Sequence, residues 1–447
     1  MKLFFQIYLT VVLFLTIYQD FFMGIFIGEI GRGAIILSLP FIIGVELYFF
    51  YKKKGIVFTK LQKYFFLIII YIFILGVLYC IFLYMKGSYV LLGENVFVKN
   101  LKMLTYYLIA FFYMRHIYFI LLRLKSLENI FFPILIICGV LVLINILESK
   151  SIPYAFSYFH INTDPYYRIR LLTPESSYTG TIAIVFYLLL LFITRKINNI
   201  IKRVIGTVIS IIGLTVFVFT TGSKGFMIVT ILSIILNQLF NLNTKSLSIR
   251  YILAVIISIF AFCVIFYSFK EDIISGFQND LENFTSFSTR ITAIFSGILI
   301  FLTNPFGIGY GPILYYYPLF LEKSIMLVNN FFLTNFNMKL NFFEVSNYFN
   351  ADKNLSPKSG IVELIVHGGI FTIWYLSKIY VYLKKSVHNS YILSFINNFI
   401  WLALLTYILL EQKYELWFYF AFIDWLNRVN IENKGENNNE KIINCLS

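Results

Sequence analysis

From Tyr64 to Met85 the chain reads YFFLIIIYIFILGVLYCIFLYM, without a single charged residue. An α-helix needs about 20 apolar residues to cross a hydrocarbon core of roughly 30 Å, and this run has that length. A transmembrane β-strand would be about half as long and would alternate apolar with polar side chains. Similar runs recur from end to end, and spans are expected at 3–19, 33–51, 64–85, 102–122, 130–147, 179–194, 204–221, 226–240, 251–269, 359–382, 391–410 and 415–427. The expected fold is all-α, a polytopic integral membrane protein with about 12 transmembrane helices.

Composition points the same way. Of 447 residues 59% are hydrophobic, 20% aromatic and only 13% charged, and the mean hydropathy of +0.81 lies outside the soluble range. Met1-Lys2-Leu3 opens directly into the first run with no small-residue cleavage site after it, so a retained span is expected, not a signal peptide. Cys80, Cys138, Cys263 and Cys445 are scattered and give neither metal-ligand spacing nor a disulfide framework. The net charge of +14 forms no single stripe of the kind that grips nucleic acid. Lys and Arg sit in short clusters between spans, as retention on the cytoplasmic side requires. With the N-terminus inside, Lys52-Lys53-Lys54, Lys60, Lys63, Arg123, Lys125, Arg195, Lys196, Lys202, Arg203, Lys245, Arg250, Lys384 and Lys385 all fall on that side.

This topology divides the chain into N-terminal membrane helices (1–147), a first external loop (148–178), central membrane helices (179–269), a large external loop (270–358), C-terminal membrane helices (359–427) and a cytoplasmic tail (428–447). Within the large loop the apolar run Ile291 to Leu302 is short for a span and ends at Asn304-Pro305, so an interfacial or re-entrant helix is expected there. Loops this long are expected to carry function. No internal repeat supports a transporter built from two matched halves.

Charge is costly in lipid, so polar signatures that share the expected outer side need a reason. Arg168-Ile169-Arg170 followed by Thr173-Pro174-Glu175 stands before the sixth span. Guanidinium forks match phosphate oxygens in pairs, and Glu175 can orient an arginine or accept a proton; ordinary solvated loop charge is the alternative. The turn Thr221-Gly222-Ser223-Lys224-Gly225 offers hydroxyls and backbone N–H groups at a helix start, a disposition suited to an anion, whereas a snorkelling lysine is the plain reading. Ser288-Thr289-Arg290 leads to Asn304-Pro305-Phe306-Gly307-Ile308-Gly309, whose glycines lack the strand and the Lys-Ser or Lys-Thr of a nucleotide loop. Pro357-Lys358-Ser359-Gly360 leads into Glu363 and His367, four residues apart on one helical face, either a satisfied core pair or a functional one. Glu46, Arg115, His116, Lys378 and Asp424 lie nearer the cytoplasmic ends, where local pairing or snorkelling accounts for them.

In this order the motifs resemble those of the bacterial O-antigen polymerase and O-antigen ligase superfamily, over roughly residues 165–382. The resemblance implies a membrane glycosyltransferase at the outer face of the bacterial cytoplasmic membrane. Such an enzyme polymerises undecaprenyl-pyrophosphate-linked oligosaccharide repeat units into O-antigen or capsular polysaccharide. It also implies that Arg168, Arg170 and Arg290 bind the pyrophosphate, with Lys224 at the basic position of the turn. Cations that stabilise charge developing on the leaving group make cofactor and metal unnecessary. Glu175 is the first choice of general base for the acceptor hydroxyl, with Glu363 and His367 in reserve. The implied partners are the lipid-linked substrate, membrane lipids and a chain-length regulator, without nucleic acid. Ligases of the superfamily carry a His-Asn type motif where this chain reads Asn354-Leu355-Ser356-Pro357-Lys358-Ser359, which favours the polymerase. The alternatives are a ligase acting on lipid A core and a flippase of lipid-linked oligosaccharide, which would carry charge along a mid-membrane path.

Overall fold

The computed structural model describes residues 2–52, 58–154, 159–162, 164–241, 285–349, 355–411 and 413–429. The expected span 251–269, the basic residues Lys53, Lys54, Lys245 and Arg250, and most of the tail lie outside the described residues. Thirteen long helices are described: α1 (Lys2–Ile17), α2 (Leu39–Tyr51), α3 (Lys60–Met85), α4 (Val96–Leu124), α5 (Leu127–Ser151), α6 (Ser176–Thr194), α7 (Ile200–Thr220), α8 (Lys224–Asn241), α9 (Thr285–Thr303), α10 (Ile313–Phe336), α11 (Gly360–Val387), α12 (Tyr391–Thr406) and α13 (414–429). The strand content described is one small hairpin, Val90–Leu91 with Glu94–Asn95. Six helices, α3 to α7 and α11, are long and apolar enough to cross a membrane. The chain is therefore a helical membrane protein; among the described residues six helices meet that criterion, and a count of about 12 is not confirmed.

Polar residues at the ends of the apolar runs set where the helices begin. Thr59 accepts from the Gln62 N–H and Gln62 reaches back to the Thr59 N–H, a capping box. Asn95, Asn199, Ser359 and Ser390 cap α4, α7, α11 and α12 through side-chain oxygens, each accepting a backbone N–H that the first turn leaves without a partner.

At the centre stand α6, with 83% of its apolar window buried, and α13, which is buried along 414–426. Phe186 stacks on Phe418 at 5.5 Å, and Trp417 packs on Phe65 of α3 at 4.8 Å. The shortest expected span is thus a core helix of the bundle. By contrast α7 is only 22% buried; Gly206 and Gly213 let it approach closely, since a β-carbon there would meet Thr194 and Tyr187 at 2.2 and 2.4 Å.

The large loop needs a correction. Where a single short helix was expected, α9 is followed by a second helix, α10, and the two run antiparallel, with Phe287 against Phe332 at 5.8 Å and the Ser288 hydroxyl donating to the Asn341 carbonyl. Pro318, Glu322 and Lys323 dilute the apolar pattern of α10, which hides it from a hydropathy reading. The connection 304–312 docks against α3 and α11. There the Ile308 N–H donates to the Val366 carbonyl (3.1 Å), the Gly309 N–H to His367 (2.8 Å), and the Ile370 N–H to Pro305 (2.9 Å). Helix α11 is broken at Gly369, whose φ is 57°. The break diverts the Ile370 N–H from its helical partner, Val366, and the inserted loop supplies the missing donor. Gly309, with φ 74°, lies against Gly76 so closely that a β-carbon would stand 2.0 Å from the Gly76 Cα.

Candidate functional site

Most of the unusual polar residues meet at one end of the bundle, where the connections 18–38, 159–175, 221–223, 355–359 and 407–413 lie. The Gln19 N–H donates to the Leu172 carbonyl at 2.8 Å, which joins 18–38 to 159–175, and the N–H of Gly360, at the start of α11, donates to the Ile408 carbonyl at 2.8 Å, which holds 407–413 against that helix end.

The arginine loop is shaped by a residue that sequence reading passed over. Glu148, buried at the end of α5, accepts the N–H groups of Arg170 (2.9 Å) and Leu171 (2.8 Å), and Leu171 takes a left-handed φ of 48°. The two arginines then part company. Arg168 is exposed and its Cγ lies 4.0 Å from where a β-carbon of Gly222 would be, so it flanks the Thr221–Lys224 turn. Arg170 is 3% exposed; its guanidinium donates to the Asn162 carbonyl at 3.2 Å and covers the Tyr166 ring at 5.0 Å. In the turn, Gly222 has φ 56°, Ser223 accepts the Phe226 N–H at 3.4 Å, and Lys224 opens α8 with its side chain exposed.

A second group surrounds Tyr178 on the first turns of α6. Glu175, exposed at the N-cap of α6, takes a hydrogen bond from Ser177 at 3.2 Å. The charges of Glu175, Arg290, Glu411 and Arg32 all reach Tyr178, and Arg290 lies over the Tyr407 ring at 5.7 Å. Lys413 sits 3.3 Å above the Tyr178 ring centre and donates to Gln19 at 3.1 Å. Gln19 and Thr181 in turn donate to Glu415 at 2.5 and 2.7 Å. Burial draws the Lys413 ammonium down to about 8, against the pull of Glu415 and Glu175. Lys358, at a left-handed φ of 55°, covers the Tyr348 ring at 5.1 Å. Burial lowers its ammonium too, with Glu175 and Glu344 opposing. Nearby, Asp20 accepts from His160 at 2.9 Å and faces Arg32 at 3.8 Å.

Glu363 and His367 form a third group, deeper in α11. Both are fully buried; His367 Nδ1 meets the Gly309 carbonyl at 2.8 Å and its Nε2 stands 3.7 Å from Glu363. The docked glycine loop thus reaches the candidate pair directly. Glu411 adjoins Glu363 within hydrogen-bonding reach.

The structure therefore brings Glu175 and Arg290 into one neighbourhood and Arg168 and Lys224 into another, while Arg170 is engaged in holding its own loop. Glu411, Lys413 and Glu415 were missed from the sequence, although three charges in Glu411-Gln412-Lys413-Tyr414-Glu415, between two spans on the side that should be poor in lysine, were a usable signal. At the other end Arg115 pairs with Glu46 at 2.9 Å, Tyr8 bonds His116 at 2.7 Å, and Asp424 accepts from Thr59 and Tyr382. Among the described residues no group of acids, cysteines and histidines is arranged to hold a metal.

No protein-family model matches the chain. Over 158 residues it is 28% identical to an uncharacterized 49.5 kDa protein in the cps region of Klebsiella pneumoniae. The match covers 33% of this chain and 35% of that protein, about a third of the relative's length.

Proposed function

We propose that the protein is a membrane glycosyltransferase that polymerises polyprenyl-pyrophosphate-linked oligosaccharide repeat units, and so takes part in the assembly of a surface polysaccharide. The observation that carries this reading is the meeting of Arg290, Glu175 and Lys413 around Tyr178 and Tyr407 at one end of the bundle, with Lys358 within reach of Glu175 and Arg290, and with Arg168 flanking the Thr221–Lys224 turn. Similarity to a protein of a capsule gene region supports the same pathway.

In the proposed reaction an acceptor hydroxyl attacks the anomeric carbon of the lipid-linked chain, and the pyrophosphate leaves with the bonding electron pair. Charge grows on the departing oxygens, where Arg168, Lys224 and Arg290 stabilise it by charge-assisted hydrogen bonds. The acceptor proton needs a base, for which Glu175 is the first candidate and Glu363 and His367 the reserve. Among the described residues the arginine and lysine clusters lie at the ends of the bundle, with Glu363 and His367 the deeper pair, which favours a transferase over a flippase with charge along its path.

The deciding experiment is a chromosomal deletion followed by gel analysis of surface and lipid-linked glycan. A polymerase defect leaves single repeat units attached at the surface. A pool of lipid-linked polymer without attachment would indicate a ligase, and single units trapped inside would indicate a flippase; either overturns the proposal.

A further inference from the structure

Among the described residues, six buried polar atoms of the docked glycine loop and its surroundings have no hydrogen-bond partner: Glu363 Oε2, Glu411 Oε2, His367 Nε2, Tyr107 Oη, Tyr310 Oη and Thr372 Oγ1. Glu363, His367, Tyr310 and Tyr107 follow one another. The rings of Tyr107 and Tyr310 stack at 5.3 Å, Tyr310 meets His367 edge-on at 5.1 Å, and Thr372 lies a turn along α11. An atom left unpaired in the interior loses its hydration without replacement, and native proteins meet that cost with buried water. His367 bonds the Gly309 carbonyl through Nδ1, so that nitrogen carries the proton and the Nε2 lone pair faces Glu363 at 3.7 Å. Two acceptors at that separation need a shared donor between them, and a water molecule supplies one.

Glu411 is buried beside this group, in the connection between α12 and α13. Its charge acts on Tyr107, Tyr310 and His367, and also on Tyr106 and Tyr414, which line a small cleft with Lys413 and Pro174. We propose that Glu411 is a positioning residue: as a protonated carboxyl it donates to Glu363 and, with water joining the unpartnered atoms, holds Glu363 as the group that takes the acceptor proton. This rests on the glycosyl-transfer reading. The acceptor O–H bond breaks as its oxygen bonds the anomeric carbon, the pyrophosphate departs with the electron pair, and the proton passes through water to Glu363.

Burial, reinforced by the charge of Glu363, pushes the Glu411 carboxyl up to about 8, so it is protonated below that pH and loses its donor above it. The other charged and titratable groups that act on the pair are Lys99 and Lys358 toward Glu363, and Lys413 and His367 toward Glu411.

The test measures polymer formation by the full-length protein in membranes as a function of pH. The wild type is expected to lose activity about tenfold per pH unit above about 8. Glu411→Gln keeps a donor at every pH, so it should stay active and fall less steeply between about pH 7 and about pH 9 than the wild type, any remaining slope being that of the neighbouring Lys413 ammonium. An alkaline slope as steep as the wild type's in the glutamine variant overturns the proposal. A second measurement uses the wild type alone: dicyclohexylcarbodiimide, which modifies protonated carboxyls in apolar surroundings, should label Glu411 at about pH 6 and lose it by about pH 9, read by mass spectrometry. No adduct at Glu411 at any pH also overturns it. Labelling with the expected pH dependence in a protein that forms no polymer would keep the buried proton site and remove the transfer reading.

Discussion

Lysine and arginine carry the same charge, yet only arginine presents a planar fork to two phosphate oxygens. At the loop-rich end Arg168 is exposed and Arg290 is half-buried, its guanidinium over the Tyr407 ring. Losing one paired, charge-assisted contact weakens transition-state stabilisation by about 2–4 kcal/mol, a rate loss of roughly thirty- to a thousand-fold. Arg168→Lys and Arg290→Lys are therefore expected to shorten or abolish polymer at unchanged protein abundance, scored by gel at matched expression. Arg123→Lys, exposed at the opposite end of the bundle, should be silent. Normal chain length in both site variants would remove the clamp. Arg170 should respond through protein abundance, because its side chain fastens the loop to Asn162 and Tyr166.

Helix α11 and the connection 304–312 are two elements that share one set of backbone hydrogen bonds. Gly369 has φ 57°, and a β-carbon there would lie 2.2 Å from the Pro305 carbonyl oxygen. Gly369→Ala should strain the backbone and push the loop out, lowering the thermal midpoint in detergent and removing activity. Gly139→Ala, in open space on α5, should be neutral or slightly stabilising. An unchanged midpoint for Gly369→Ala would contradict the docking. Most helices were legible because runs such as Tyr64–Met85 carry the signal within themselves: apolar length, with Thr59 and Gln62 fixing the start. Helix α10 was not, because Glu322 and Lys323 interrupt its pattern while its stability comes from α9. The break at Gly369 was equally hidden, since a glycine pair in a helix is ambiguous until its partner strand of chain is seen. At the site, Glu175 and Arg290 drew attention by themselves, whereas Glu148 and Glu411 owe their roles to groups far away in sequence.

For the whole molecule the orientation follows if the α9–α10 hairpin enters and leaves by the same face. Its two ends, near Ser288 and Asn341, adjoin each other, and Arg290 lies beside Tyr407 at the loop-rich end. Single cysteines replacing Ser157 and Asn335, in a background without native cysteines, should react with an impermeant reagent added outside. A cysteine replacing Asn198 should not. Labelling at Asn198 alone would invert the topology. The stitched loop also constrains how the protein is made. Ile308 and Gly309 are translated before Val366 and His367, whose carbonyls they require, and long after Gly76, against which they lie. Until α11 leaves the ribosome the hairpin tip has N–H groups that lipid cannot satisfy, so it must wait in water or in the insertion machinery. The chain from α11 onward is thus the bolt that closes a bundle begun by the first helices, and synthesis that stops short of it leaves an unfinished membrane protein for quality control to remove.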